Sequence, residues 1–392
     1  MAIVVTEVQN GSTYISAHSD IMFTAYEATK AADPVTYEDY KYVCDIYVNG
    51  VVVTRLKAVP EPVSKHGLFN ISSIIRGYLE TVFDPAFSSA NLLSQVIGAD
   101  AFYVSVQCKF GEEYAGTLYT NLTVATAVKY YNTYNKRGNY GSSLIGDYVN
   151  KFLTTRPMTD KIEFDASYYF LSILKSSGDI EFEIKTYTNT LVDTQAVTLT
   201  PSEAGSVNMF NFAPQAINDA FPGLITYNLS YYTVTLDDIL FRLDLTCNHK
   251  YTTYAIHFLN QLGTFETFFF RKVSRLSSDI ERKEFTQPAH RMSSTGVVTY
   301  ANANGALHEQ STIFAARAKD KLTLNSDLLT DAEHVWIKQL ILSPMVYLEE
   351  NGQFRPVRIT NTNYEERRYI NDKLTNLVIN IDFSDYVNAQ YR

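Results

Sequence analysis

Residues 102–109 read Phe-Tyr-Val-Ser-Val-Gln-Cys-Lys, a stretch in which large apolar side chains mostly alternate with small or polar ones. Alternation with a period of two is typical of a β-strand that buries one face. Residues 241–248 read Phe-Arg-Leu-Asp-Leu-Thr-Cys-Asn and repeat the order of Phe, two aliphatic residues and Cys. The two cysteines, Cys108 and Cys247, are 139 residues apart. The pattern predicts two strands in equivalent places of a duplicated β-rich module.

Two further features recur upstream at nearly the same spacing. Gly-Leu-Phe-Asn-Ile at 67–71 corresponds to Asn-Met-Phe-Asn-Phe at 208–212, and each is followed by a short segment with one apolar helical face. Two strand patterns precede each of them, the first pair joined by Asn49-Gly50, a strong hairpin signal. We therefore expect two tandem β-sandwich modules with short helices, layered like immunoglobulin domains but without their Cys-Trp-Cys pattern.

The composition agrees with a β-rich chain and excludes several classes of protein. Among 392 residues there are 29 Tyr and 23 Phe, which favour strands. No run of 18 apolar residues occurs, so we expect no membrane-spanning helix. The first residues lack the features of a signal peptide, and three cysteines suit a reducing compartment better than a disulfide framework. A net charge of −9 does not favour general nucleic-acid binding.

Charge and periodicity predict the division of the chain. The two β-sandwich modules are assigned to residues 1–128 and 159–284, and residues 129–158 between them hold five basic residues and one acidic residue. This intervening segment is rich in Tyr, Asn and Gly without a hydrophobic period, which indicates a connector. Residues 285–325 are rich in Ser, Ala and Asn and are only weakly periodic, so we expect an extended arm or a long hairpin. Residues 326–392 are expected to form a small α+β module.

Local signals specify this C-terminal module. Thr-Asp-Ala-Glu at 330–333 has the pattern of a capping box that begins a helix, and Ser343-Pro344 ends it. Val335, Trp336, Leu340 and Ile341 are its expected apolar stripe. A hairpin is predicted around residues 349–352, and residues 377–383 alternate as a final strand.

Motifs for catalysis or metal binding do not occur in this sequence. His308-Glu309 begins like the helix of a zinc protease, but residue 312 is Thr where the second histidine would stand. There is no Cys-x-x-Cys, nucleophile elbow or phosphate loop. We therefore expect no enzyme activity, no cofactor and no metal.

The aromatic part of the connector is one candidate binding surface, with Tyr130, Tyr134 and Tyr140 as its residues. Basic side chains interleaved with aromatic rings are typical of protein surfaces that bind single-stranded nucleic acid. Tyrosines that dock onto a neighbouring domain or subunit give the same pattern. Because the flanking segments are acidic, we favour the second interpretation.

A second candidate is the hairpin predicted over residues 254–272, which contains Phe268, Phe269 and Phe270. Successive side chains of a strand point to opposite faces of the sheet. Either both faces of this strand are covered, or part of it is an interface with another subunit.

Two motifs resemble structural proteins of tailed phages that infect Bacteroidetes, including crAss-like phages. The first is Phe-Leu-Asn-x-Leu-Gly-x-Phe-Glu-x-Phe-x-Phe at 258–270. The second is Leu-Ile-Leu-Ser-Pro-x-Val-Tyr-Leu at 340–348, followed by Pro-Val-x-Ile-Thr at 356–360. The resemblance implies a neck, ring or tail component of the virion, assembled in the bacterial cytoplasm. It has no catalytic residues to carry over.

The expected partners follow from that resemblance. They are further copies of the same chain in a cyclic ring, the portal or adjacent ring proteins, and DNA in passing; no membrane is expected. The alternative is a carbohydrate- or receptor-binding β-sandwich protein of a phage tail. That alternative requires an exposed strip of aromatic rings, and a single Trp in the chain counts against it.

Overall fold

The computed structural model describes residues 3–7, 14–79, 81–85, 94–97, 102–134, 144–200, 205–246, 250–361, 375–384 and 388–391. In these residues the protein is mainly β, with 53% of residues in strands, 10% in helices and several separate sheets. This confirms the predicted fold class at that level. The chain divides into two compact units: unit 1 is Met1–Asn248 with Phe258–Thr267, and unit 2 is His249–His257 with Phe268–Arg392.

The first half of unit 1 contains two sheets. Its elements are β1 (Val4–Glu7), β2 (Ile15–Ser16), β3 (Met22–Tyr26), a 3-10 helix (Lys30–Ala32), β4 (Lys41–Val48), β5 (Val51–Ala58), β6 (His66–Asn70), α1 (Ser72–Arg76), β7 (Ser94–Ile97), β8 (Tyr103–Tyr114), β9 (Thr117–Val124) and β10 (Val128–Tyr131). One sheet has the order β2-β10-β8-β4-β5, with β9 paired to β8, and the other has the order β1-β3-β6. Strand β2 runs parallel to β10.

The second half of unit 1 repeats this order. Its elements are a 3-10 helix (Leu144–Tyr148), β11 (Thr159–Glu163), β12 (Phe170–Leu174), β13 (Ile180–Tyr187), β14 (Leu191–Leu199), β15 (Val207–Asn211), α2 (Pro214–Ala220), β16 (Tyr231–Leu236) and β17 (Ile239–Thr246). The larger sheet is β11-β17-β16-β13-β14, with β11 parallel to β17. The smaller sheet is β12-β15-β7, so its third strand comes from the first half of the unit.

Matching the two sheet orders confirms part of the predicted repeat and corrects another part. The hairpin, the Phe-Asn strand and the short helix occur in both halves, as β4–β5, β6 and α1 and as β13–β14, β15 and α2. The two cysteine stretches, however, are not equivalent. Strand β8 with Cys108 corresponds to β16, whereas residues 241–246 lie in β17, the counterpart of β10. Cys247 lies outside the described residues. Alternation marks any half-buried strand and does not encode which strand it is.

Side chains from both sheets of the first half share one core. The Phe110 ring of β8 lies 5.6 Å from that of Phe23 on β3 and 5.8 Å from that of Phe69 on β6, measured between centroids. Cys108 is buried in the same cluster. The turn between β4 and β5 uses Asn49 and Gly50, both at positive φ, which is the geometry that a tight hairpin with Asn-Gly requires.

Unit 2 is built on one large sheet. Its elements include β18 (Tyr254–Leu259), β19 (Phe265–Phe270), β20 (Arg275–Thr286), β21 (Arg291–Met292), β22 (Val298–Thr299), β23 (Ser311–Leu329), α3 (Asp331–Leu342), β24 (Val346–Glu350), β25 (Gln353–Ile359), β26 (Thr375–Phe383) and β27 (Asn388–Tyr391). The sheet order is β19-β18-β24-β25-β26-β23-β20, with β27 paired to β23. Only residues 254–257 and 268–270 of its first two strands belong to unit 2.

Helix α3 begins at the predicted capping box. The Thr330 N–H donates to Glu333 Oε2 at 2.7 Å, and Thr330 Oγ1 accepts from the Glu333 N–H at 3.4 Å. Trp336 and Leu340 are buried as expected, whereas Val335 is exposed. The hairpin at 254–272, which the sequence assigned to the second module, instead contributes its outer residues to unit 2 and its tip, 258–267, to unit 1. Strands such as β18 and β19 can pair with the sheet that precedes them in the chain or with the one that follows. The local sequence does not encode which of the two they join.

Candidate subunit interface

The hairpin of β20 and β23, residues 275–329, which we call the arm, contains the longest run of exposed residues in the described part of the chain. All twelve residues of β20 are exposed, and the strand lies at the end of its sheet, paired only with β23 among the described strands. The tip of the arm, residues 287–310, carries the small β21–β22 pair and is almost entirely exposed. The segment predicted as an extended arm, 285–325, lies within this hairpin.

Many large apolar side chains of the arm are exposed to solvent. Its large exposed apolar side chains are Leu276, Ile280, Phe285, Met292, Val297, Val298, Tyr300, Leu307, Ile313, Phe314 and Leu328. At the tip, Leu307 is 78% exposed and Met292 is 71% exposed. Exposed apolar side chains in such number favour an interaction site in this segment.

The two faces of β20 differ in chemistry. Leu276 and Ile280 lie on one face, opposite Leu322 and Ala318 of β23. The other face is polar, and there Lys321 Nζ contacts an Asp279 carboxylate oxygen at 2.5 Å. This carboxylate raises the pKa of Lys321. The arm is therefore amphipathic along its edge strand, although neither face of β20 is covered.

The connector tyrosines are placed differently from one another. Tyr130 lies in β10, is 1% exposed and donates a hydrogen bond of 3.4 Å to Glu7 Oε1. Burial raises its pKa. Because Tyr130 is already buried within the chain, it has no exposed surface for a partner, and its place in the predicted interface is corrected. Tyr134 is 55% exposed and remains a candidate, while Tyr140 lies outside the described residues.

The three consecutive phenylalanines at the end of β19, Phe268–Phe270, are also buried within the chain. Phe268 packs edge-on against Trp336 at 5.7 Å and against Phe270 at 4.9 Å between ring centroids. The Arg271 guanidinium lies 5.0 Å from the centre of the Phe269 ring. Both faces of this strand are covered, so Phe268, Phe269 and Phe270 are corrected from interface to core residues. A run of aromatic residues looks the same in sequence whether its second face meets a partner or the rest of the chain.

The motif at 258–270 forms the tip of the β18–β19 hairpin, where Asn260 is its central hydrogen-bonding residue. Asn260 Oδ1 accepts hydrogen bonds from the N–H groups of Leu262 and Thr264. Its side-chain amide donates to the Leu153 carbonyl and to Glu266 Oε1. Gly263 follows at φ +79°, where the Asn132 carbonyl leaves no room for a Cβ atom. Asn260, Gly263 and Glu266 of this motif therefore have structural roles in the hairpin tip.

The described residues hold no group of three or more His, Cys, Asp or Glu side chains placed to bind a metal. Within the same part of the chain, no helix is long and apolar enough to cross a membrane. Several outward-facing rings are occupied by cations: Lys109 Nζ lies 4.0 Å from the centre of Tyr47, and the Arg242 guanidinium lies 3.8 Å from that of Tyr231. A sugar would have to displace these cations to stack on the rings.

A scan against protein-family models and a search of curated proteins both find no match for this chain.

Proposed function

We propose that this protein is a structural virion protein, a ring subunit in the neck or tail of a tailed phage. The observation that carries the proposal is the arm, with its twelve-residue exposed edge strand and its exposed apolar tip. An assembly subunit needs such surface, whereas an isolated chain gains nothing from it. The motif resemblance at 258–270 and 340–360 supports the same conclusion.

We also propose that unit 1 consists of two tandem β-sandwich modules of immunoglobulin-like layout. Three observations support it: the two larger sheets share one strand order, each has one parallel pair at the same place, and Phe23, Phe69 and Phe110 join both sheets of the first half in one core. Such modules are scaffolds for contacts between subunits rather than sites of chemistry.

Assembly into a ring follows from contacts between unlike surfaces of identical chains, which close when the rotation between neighbours permits. Unit 1 has 16 basic and 27 acidic residues, a net charge of −11. We propose that this acidic surface faces the genome conduit, because it would repel DNA phosphates and keep the passing genome from sticking. The portal or an adjacent ring protein would bind the faces of the ring.

The test is the mass of the purified protein and of its particle. We expect native mass spectrometry to show a closed oligomer and electron microscopy to show the chain in a ring of the virion. Replacing Met292, Val298, Tyr300 and Leu307 with Ser should weaken assembly at least about tenfold, since the tip supplies the apolar contacts. The matched control replaces four equally exposed residues, Val51, Val52, Leu191 and Val192, with Ser and should assemble normally. A protein that stays monomeric at all concentrations and is missing from particles contradicts the proposal.

A further inference from the structure

Strand β6 has one backbone edge without a partner strand among the described residues, although at its start the His66 N–H and C=O bond to Ser64 Oγ and to the Glu61 N–H of the preceding loop. The Ile71 N–H donates to the Ile21 carbonyl at 3.0 Å, which fixes the hydrogen-bonded register with β3. Because hydrogen-bonded and non-hydrogen-bonded pairs alternate in an antiparallel ladder, Phe69 bonds to β3 and Leu68 does not. The N–H and C=O groups of Leu68 therefore point away from β3, and its side chain is 59% exposed.

The second half of unit 1 shows the same edge covered. There Met209 of β15 corresponds to Leu68, since the Phe212 N–H donates to the Tyr169 carbonyl at 2.8 Å in the matching register. Strand β7 pairs antiparallel with the outer edge of β15 and places Gln95 opposite Met209. Met209 is 3% exposed. Among the residues that the structure describes, the repeat thus contains one filled and one unfilled version of a single strand-binding edge.

We propose that the open edge of β6 binds the arm strand β20 of a second copy of this chain, by addition of a strand to the sheet. The inference rests on the proposed function, because it names the contact that joins neighbouring subunits. Strand addition supplies affinity through backbone hydrogen bonds along the edge and needs only an extended segment with a free edge of its own. Strand β20 is such a segment, and its twelve residues exceed the four that cover β15.

Two observations favour a second copy over an unrelated partner. First, this chain already covers the equivalent edge of β15 with one of its own segments. Second, the net charges do not oppose such a contact: unit 2, which carries the arm, has 17 basic and 15 acidic residues, whereas unit 1, which carries β6, has a net charge of −11. Each copy offers one arm, in unit 2, and one open edge, in unit 1, and contacts between unlike surfaces of identical chains can form head-to-tail rings.

The first experiment blocks the edge with Leu68→Lys in the full-length protein. A lysine on an edge strand disfavours pairing with a second chain, and the exposed side chain leaves folding unaffected. We expect the dissociation constant for self-association to rise at least about tenfold, with unchanged thermal unfolding. The matched control is Val51→Lys, at a 65% exposed position on the edge strand β5, and it should assemble normally. Hydrogen exchange of the backbone amide of residue 68 should be slow in the wild-type assembly and fast in Leu68→Lys.

The second experiment identifies the occupant. Copies with Leu68→Cys and copies with Ile280→Cys are mixed and treated with a short bismaleimide. A cross-linked pair that forms only in the mixture supports the arm as the occupant. Cross-linking of Leu68→Cys copies with one another overturns it. If Leu68→Lys forms oligomers of the same size as the wild type, and the amide of residue 68 exchanges freely in both, the inference is overturned and the proposed function stands. A wild-type chain that never assembles and is absent from virions overturns the proposed function itself.

Discussion

The side-chain amide of Asn260 donates a hydrogen bond of 2.9 Å to the backbone carbonyl of Leu153, and so ties the tip of the β18–β19 hairpin to the segment before β11. The same amide donates to Glu266 Oε1 at 2.6 Å, while Oδ1 accepts from two backbone N–H groups. Both donors and both acceptor positions of this side chain are thus in use, and Asn260 is buried. Buried polar groups that lose such a partner cannot turn to water instead.

We therefore expect Asn260→Ala to lower the free energy of unfolding by about 3 kcal/mol, because it leaves the buried Glu266 and Leu153 oxygens without this donor. Asn302 provides a matched control, since its Oδ1 accepts from Asn304 and Ala306 in the same kind of turn at the exposed tip of the arm. Asn302→Ala should cost about 1 kcal/mol or less. Urea denaturation of each variant measures both values, and equal losses would contradict the anchoring role of Asn260.

Two glycines allow a second matched comparison. Gly263 has φ +79° and Gly305 has φ +82°, so alanine at either position pays the cost of a left-handed backbone, about 1–2 kcal/mol. A Cβ atom at Gly263 would also collide with the Asn132 carbonyl, whereas one at Gly305 would meet open space. We expect Gly263→Ala to destabilise the protein by about 2 kcal/mol more than Gly305→Ala, through overpacking. Thermal unfolding of the pair decides this, and similar melting temperatures would refute the collision.

Elements with local signals were predictable from the sequence, while their partners were not. Asn49-Gly50 and the capping box at Thr330 specify a turn and a helix start by chemistry within four residues. The pairing of β7 with β15 joins residues more than one hundred positions apart, and no local pattern encodes it. The open edge at Leu68 could not be predicted for the same reason, because an edge is free only relative to strands elsewhere in the chain.

Below neutral pH, the dependence of the free energy of unfolding on pH should be set in part by His257 in unit 2. This side chain is buried beside the Phe354 ring, with Nε2 3.4 Å from Glu349 Oε2. Burial lowers the pKa of His257 below 6.5, and the Glu349 carboxylate opposes that shift only in part. The unfolded chain therefore binds a proton that the folded chain does not, so the free energy of unfolding falls as the pH drops below 6.5.

His257→Gln removes this titration, so urea midpoints measured from pH 7.5 to 5 should fall less steeply in the variant than in the wild type. Glu349→Gln should act in the opposite direction. Without the carboxylate, the pKa of His257 falls further. The variant therefore continues to lose stability at lower pH than the wild type does. Parallel pH profiles for all three proteins would exclude His257 as the titrating group.

The buried thiols in the first half of unit 1 provide the last prediction. Cys108 of β8 is 2% exposed, and its thiol contacts that of Cys44 on β4. The hydrogen bond from Cys108 and the burial of the site both raise the pKa of Cys44, so the Cys44 thiol stays protonated. Cys108→Ser inserts a hydroxyl into this apolar core and should cost about 1–3 kcal/mol. Cys108→Ala removes volume but adds no polar group, so it should cost less than Cys108→Ser. Chemical denaturation of the two variants distinguishes a penalty for polarity from one for lost volume, and an alanine variant less stable than the serine variant would show that packing, not burial of a polar group, controls this site.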